Sequence, residues 1–289
     1  MPRTALPAPR RLRIGVFDSG VGGLSVLRAI RGELPQADLL YVADTGHAPY
    51  GDKTEAEVLQ RTVHIAGFLL AQGADLLVIA CNTATAAAVA EVRSRWPGHA
   101  VVGVEPGIKP AVALAPEGVI AVLATTRTLA SEKFRRLAAQ HAGRATLLLQ
   151  PCPGLVDAIE GLDLAAPDLA ACVERYSAPL REAGAQVAVL GCTHYPFVAR
   201  LFNAALPGVT LVDTGAAVAR QTARLAAKLD PVASDGALAS GSGSATSVAS
   251  NSPGTLRLWS SGSPAALDAL DGFAQRWLGP GARPQSLPA

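Results

Sequence analysis

The sequence predicts an α/β protein of two pseudo-symmetric domains, each built on a parallel sheet, with the active site between them. Three observations carry the prediction. Short apolar runs alternate with longer amphipathic ones, the rhythm of βαβ units. That rhythm restarts near Val119, and the restarted half repeats the strand ends of the first. A chain of 289 residues with 49% hydrophobic content also suits two modest cores, because domains most often run about 100 to 200 residues.

In the first half the order is RIGVF, a helix near Leu24 to Glu33, LLYVA, a helix near Glu55 to Gln72, DLLVIA, a helix near Ala84 to Arg95, and AVVGV. In the second it is VIAVLA at Val119, a helix over Glu132 to His141, ATLLLQ, helices between Leu155 and Ala183, QVAVLG, a helix over Phe197 to Ala205, and VTLVD. RIGVFDSGVGGLS aligns with VIAVLATTRTLAS, and DLLVIACNTA with QVAVLGCTHY. Asp18 is paired with Thr125 (125 minus 18 is 107) and Cys81 with Cys192 (192 minus 81 is 111). Near-constant offsets predict a duplicated domain in which each cysteine ends the same strand of its own half. Chance similarity among Val-rich strands is the competing explanation.

The natural crossings are VEPGIK at Val104 to Lys109 and VDTG at Val212 to Gly215, where an extended run ends and Pro or Gly follows. The first domain is therefore expected over 12–105 plus 215–280, and the second over 106–214. Residues 230–253, rich in Gly, Ser and Ala, read as a flexible insert, and 1–11 as a flexible tail. TLRLWSS reads as an edge strand and Ala265 to Leu278 as a closing helix, with Phe273 and Trp277 packing into the core.

The 25 basic and 23 acidic residues give net +2 without clustering on one predicted face, which argues against a nucleic-acid or membrane-surface partner. The four-arginine start lacks the apolar stretch of a signal peptide, and no apolar run reaches the roughly 18 residues of a membrane span, so the expectation is a soluble cytoplasmic protein. Four cysteines without a CxxC pair predict reduced thiols, Cys152 and Cys172 as small buried hydrophobes.

Ligands of open α/β sheets bind beyond the carboxyl ends of the strands, which directs attention to four turns. DSGVGGLS, from Asp18 to Ser25, has glycines that permit close backbone approach and precedes a helix start; a plain strand-to-helix turn explains it about as well, and the charge of Asp18 argues against a phosphate there. ADTGHAPYGDK, with Tyr50 and Gly51 at its tip, fits a site loop and an ordinary surface turn equally. In ACNTA and GCTHYP, Cys81 and Cys192 each leave a buried strand at a helix start, where N–H groups are expected to lower a thiol pKa toward neutrality. His194, two residues after Cys192, either reaches the same space or caps a helix, and taken alone it fits the cap.

Two equivalent thiols on matched halves suit inversion at a carbon centre. One base removes a proton from one face while an acid returns one on the other, and matched groups suit a reaction whose directions are nearly isoenergetic. Ser19, Asn82, Thr83, Thr125 and Thr193 would then clamp the ligand's carboxylates and stabilise developing charge.

In order and spacing, DSGVGGLSV, DTGHAPYG, ACNTA, VGVEP and GCTHYP resemble bacterial glutamate racemase, from about Ile14 to Leu229. The resemblance implies a cofactor-independent homodimer of two α/β domains that acts on glutamate and provides D-glutamate for peptidoglycan. It places the catalytic cysteines on Cys81 and Cys192. Substrate contacts fall on Asp18, Ser19, Tyr50, Gly51, Asn82, Thr83, Thr193 and His194, with Thr125 the looser match. Asp18 and His194 would support acid/base chemistry beside Cys81 and Cys192, with Asp44 and Glu160 as auxiliaries. His194, where related aspartate racemases are expected to carry Glu, points to glutamate.

Two other classes make different demands. A Cys/His hydrolase built on Cys192 and His194 leaves Cys81 idle, and a binding module has no use for either thiol. Lys53, Lys109, Lys133 and Lys228 lack a convincing Schiff-base setting for pyridoxal phosphate, and Cys192 with His194 lacks zinc-ligand spacing, so no cofactor or metal is expected.

Overall fold

The computed structural model describes residues 11–161, 164–229, 252–280 and 283–288. Most of the expected tail (1–11) and insert (230–253) therefore lies outside the described residues. Arg11 donates to Ser252 Oγ at 2.6 Å and to the Pro253 carbonyl at 3.0 Å, joining the two described ends.

The first half runs β1 (Arg13–Asp18), α1 (Leu24–Glu33), β2 (Asp38–Ala43), α2 (Glu55–Ala71), β3 (Leu76–Ile79), α3 (Asn82–Arg95) and β4 (Ala100–Gly103). Single 3-10 turns at Thr45–His47 and Tyr50–Asp52 separate β2 from α2. The second half runs α4 (Ile108–Leu114), β5 (Val119–Ala124), α5 (Thr126–Ala130), α6 (Glu132–His141), β6 (Thr146–Pro151), α7 (Leu155–Glu160), α8 (Pro167–Glu182), β7 (Val187–Leu190), α9 (Ala199–Ala205) and β8 (Thr210–Val212). Then follow α10 (Gly215–Leu229), β9 (Leu256–Ser260), α11 (Pro264–Leu278) and β10 (Pro284–Ser286).

Local chemistry fixes several boundaries. Thr54 and Glu57 form a reciprocal capping box at the start of α2, which satisfies two otherwise orphaned N–H groups. Ser131 Oγ accepts from the Phe134 N–H at 3.1 Å and starts α6 where the sequence places it. The helix expected over Phe197 to Ala205 is instead preceded by a 3-10 turn, Tyr195–Val198, and is α-helical only over Ala199–Ala205.

Two all-parallel sheets result, ordered β10-β9-β2-β1-β3-β4 and β6-β5-β7-β8. The second repeats β2-β1-β3-β4 strand for strand, which is the pseudo-symmetry the aligned motifs predict. The register corrects one pairing within it. Phe17 faces Ile79, and Leu123 faces Leu190, so β5 follows β1 at an offset of 106 (123 minus 17) and Thr125 stands where Ser19 stands, not Asp18. Cys81 and Cys192 each lie two residues beyond those strand partners, as expected. β9 is not the edge, because β10 pairs outside it. The helix α10 packs back on α1, and Phe197 stacks against Phe273 and Trp277 at centroid distances of 5.2 and 4.6 Å, so these rings do pack in the core. One continuous buried cluster includes Tyr41 and Val78 of the first sheet with Leu27 of α1, and Leu123 and Leu190 of the second sheet with Phe202 of α9. Its contiguity holds the carboxyl ends of both sheets against each other.

Candidate active site

Cys81 is the residue before α3, in extended conformation, and its Sγ accepts the Ala84 N–H at 3.4 Å. This is the helix-start contact that the sequence suggests, but the expected drop in pKa does not follow. Burial and the neighbouring charge of Asp18 outweigh it and push the Cys81 thiol up to about 12. The thiol is therefore protonated in this state. It points to Ser19 Oγ at 3.8 Å, and Ser19 in turn donates to Asp18 Oδ1 at 3.0 Å. Asp18 thus reaches Cys81 through a hydroxyl.

Cys192 follows β7 and has a different partner. Its Sγ lies 3.7 Å from His194 Nδ1, and His194 Nε2 lies 2.7 Å from Glu160 Oε1 at the end of α7. His194 makes no side-chain helix cap. Burial works against its charge, yet the contacts with Cys192 and Glu160 win and raise its pKa well above the usual histidine value. Glu160 is likewise penalised by burial, and the His194 and Val21 contacts hold it below the usual carboxylate range. The Glu160–His194 pair thus stands directly behind the Cys192 sulfur.

The glycines of DSGVGGLS explain how these groups approach one another. A Cβ on Gly22 would lie 2.4 Å from His194 Nδ1, and one on Gly20 would lie 1.7 Å from Glu160 Oε1. The Val21 N–H donates to Glu160 Oε1 at 3.1 Å. The anion held at this turn is therefore the protein's own Glu160. From the other side Thr193 Oγ1 donates to Asp18 Oδ2 at 2.6 Å, and Ser25 Oγ donates to the Thr193 carbonyl at 3.0 Å. Asp18 is fully buried, and burial raises its pKa against the pull of His194, Thr193 and Ser19.

These elements enclose about 300 Å³ of empty space, part of it open to solvent, lined by both thiols. Of the residues singled out in the sequence, Ser19, Tyr50, Gly51, Asn82, Thr83, Thr125, Thr193 and His194 share that lining. Asp18, Asp44 and Glu160 do not; each stands behind a residue that does, Ser19, Tyr50 and His194 respectively. Four lining residues were not singled out: Pro49, Thr128, Val156 and Gly191. Pro49 and Gly191 sit inside the quoted motifs beside Tyr50 and Cys192, and Thr128 is three residues after Thr125, whose Oγ1 accepts its N–H at 3.2 Å. Only Val156 gives no signal. Thr83 meets Thr125 and Thr128 at 3.0 and 3.1 Å, a hydroxyl cluster that bridges the two halves. Asn82 Oδ1 is buried with no partner among the described residues, which leaves an acceptor free for a ligand's N–H. Among the described residues no group of three or more His, Cys, Asp or Glu is placed to hold a metal ion, and no helix is long and apolar enough to cross a membrane.

Known proteins resemble this chain in sequence and in fold. A model of the family described as Asp/Glu/Hydantoin racemase matches residues 24–222. The glutamate racemase of Pseudomonas syringae pv. tomato is 52% identical over 222 residues, 76% of this chain and 81% of that protein. That of Pseudomonas aeruginosa is 48% identical over 258 residues, 89% of this chain and 91% of that one. The crystal structure of Escherichia coli glutamate racemase, in complex with L-glutamate and the activator UDP-MurNAc-ala, superposes with a TM-score of 0.79 at 30% identity, covering 96% of this chain and 98% of that one. Matched in sequence over most of its length and in fold over nearly all of it, this chain belongs to the Asp/Glu/Hydantoin racemase family.

Proposed function

We propose that the protein interconverts L- and D-glutamate by two-base proton transfer, Cys81 acting on one face of the α-carbon and Cys192 on the other. The observation that carries this is the placement of both thiols, one from each half, on a single cavity. A hydrolase using Cys192 and His194 alone would have no use for Cys81 at that place. In either direction one sulfur takes the α-proton and the opposite sulfur delivers its own, so the enzyme ends with the proton moved from one thiol to the other. Ser19 and Asp18 stand behind Cys81 to exchange its proton, and His194 with Glu160 does so for Cys192. Polar groups around the cavity, Asn82, Thr83, Thr125, Thr193 and the Tyr50–Gly51 turn, hold the substrate's carboxylates and ammonium. No cofactor enters the scheme.

The near relatives' names support glutamate as substrate, and His194 after Cys192-Thr193 agrees with it. We also read 12–105 with 215–280 as one domain and 106–214 as the other, a division supported by β1–β4, β9 and β10 sharing one sheet and β5–β8 the other. As a cytoplasmic homodimer the enzyme would provide D-glutamate for peptidoglycan.

Incubation with L-glutamate in deuterated buffer, without added pyridoxal phosphate or metal, tests the reading. Optical rotation should decay to zero while deuterium enters Cα, and Cys81→Ser or Cys192→Ser should slow this by about 10² to 10⁴ with the thermal melt retained. Unchanged rotation with glutamate would overturn the substrate, and full activity of Cys81→Ser would overturn the two-thiol mechanism.

A further inference from the structure

We propose that Arg61 and Ser261 are positioning residues, which through Asp44 fix the Tyr50–Gly51 wall of the cavity and set the enzyme's affinity for glutamate. The proposal rests on the glutamate reading above. Asp44 directly follows β2, is fully buried and is surrounded by donors. Arg61, from α2, grips it with both arms of the guanidinium, Nε to Oδ2 at 3.0 Å and Nη2 to Oδ1 at 2.8 Å. Ser261 Oγ donates to Oδ1 at 2.6 Å, and His47 Nδ1 lies 3.1 Å from the same oxygen. Tyr50 OH donates to Oδ2 at 2.5 Å. Burial penalises the Asp44 charge, but the bonds from Arg61, Ser261 and Tyr50 hold it below the usual carboxylate range. A carboxylate so occupied is an ionised anchor, not a reserve of protons.

What the anchor holds is a side chain that lines the cavity. Tyr50 is 1% exposed, and burial together with the Asp44 charge keeps its hydroxyl protonated and donating. Its neighbour Gly51 abuts the opposite half so closely that a Cβ there would lie 3.1 Å from Thr125 Cβ. Loosening the Tyr50 hydroxyl therefore shifts the wall on which Thr125 and Thr83 also sit. Neither Arg61 nor Ser261 lines the cavity itself. Ser261 is also remote in sequence, 217 residues from Asp44 and beyond the 24–222 span of the family match. Its place is set by the parallel pairing of β9 with β2 and by the Ser261 N–H, which donates to the Ala43 carbonyl at 3.2 Å. The segment after α10 thus braces the pocket from behind, through Asp44.

The test uses the full chain and measures kcat and KM in both directions for Ser261→Ala, Ser261→Thr and Arg61→Lys, with thermal melts alongside. Ser261→Ala should raise KM about 5- to 20-fold with kcat within threefold of the wild type, and Ser261→Thr, which keeps the hydroxyl, should recover most of the loss. Arg61→Lys, which keeps the charge but loses the fork, should move KM the same way; if it fails to fold, Ser261→Ala carries the test. A KM within twofold of wild type in a folded Ser261→Ala overturns the proposal. So does a fall in kcat at unchanged KM, or a Thr variant as defective as Ala. A wild-type protein that leaves glutamate unracemised sinks the functional reading and this proposal with it; an active wild type with indifferent variants sinks the proposal alone.

Discussion

Thr193 Oγ1 donates to Asp18 Oδ2 at 2.6 Å, so the residue after one thiol holds the carboxylate that stands behind the other. Replacing Thr193 by Val removes one donor from a buried carboxylate at similar shape. The expected loss is about 1–3 kcal/mol of unfolding free energy at neutral pH, measured by denaturant titration. The loss should shrink in acid, since the bond favours ionised Asp18 and means less once that group is protonated in both proteins. Equal stability at neutral pH would show that the bond contributes nothing.

The Glu160 and His194 shifts fix the sign of a second effect. His194 has its pKa raised on folding, so its contribution is fully present below the ordinary histidine value and fades as pH rises through the folded one. Glu160 has its pKa lowered, so its share is present above the ordinary carboxylate value and is lost as pH falls through the folded one. The stability advantage of wild type over Glu160→Gln should therefore be greatest between roughly pH 5 and 6.5 and decline on both sides. A difference that is flat from pH 5 to 9 would contradict the ion pair.

Gly22→Ala places a methyl 2.4 Å from His194 Nδ1 and 2.7 Å from Thr193 Oγ1. The ring must retreat from Cys192, although Gly22 is not a cavity-lining residue. Racemisation should fall by at least tenfold, and the His194 imidazole signals in NMR should titrate at lower pH than in wild type. Wild-type titration would show that the ring had not moved.

Cys81, with its thiol pushed up to about 12, should be a poor nucleophile in the absence of substrate. Its alkylation by iodoacetamide, followed by peptide mass spectrometry, should quicken about tenfold per pH unit between pH 8 and 10, as thiolate is what reacts. A rate that levels off by pH 9 would mean that the buried sulfur ionises far more easily.

The fold was legible because it is repeated. Amphipathic spacing marked the ends of α1 and α6, and aligned motifs anticipated the second sheet; the pairing of Asp18 with Thr125 is one residue out of step both with that alignment and with the strand register. β10, three residues beginning with Pro284, and α5, barely more than one turn, have no periodicity to read. At the site, residues after strands were visible, because a strand end is a sequence-local property. Their supports were less so: Arg61 and Ser261 meet Asp44 from 17 and 217 residues away. Nor does a helix start in the sequence disclose the burial that overrides it at Cys81.

Two halves alike in strand order stand behind their sulfurs with unlike partners, Ser19 and Asp18 on one side, His194 and Glu160 on the other. Mirror-image solutes have the same free energy in water, so detailed balance obliges kcat/KM to be equal in the two directions at every pH, whatever the protein does. The handedness of this electrostatic environment cannot bias the equilibrium. It can only decide how much of each enantiomer waits on the enzyme at saturation, and hence how kcat and KM are traded against each other separately for each form.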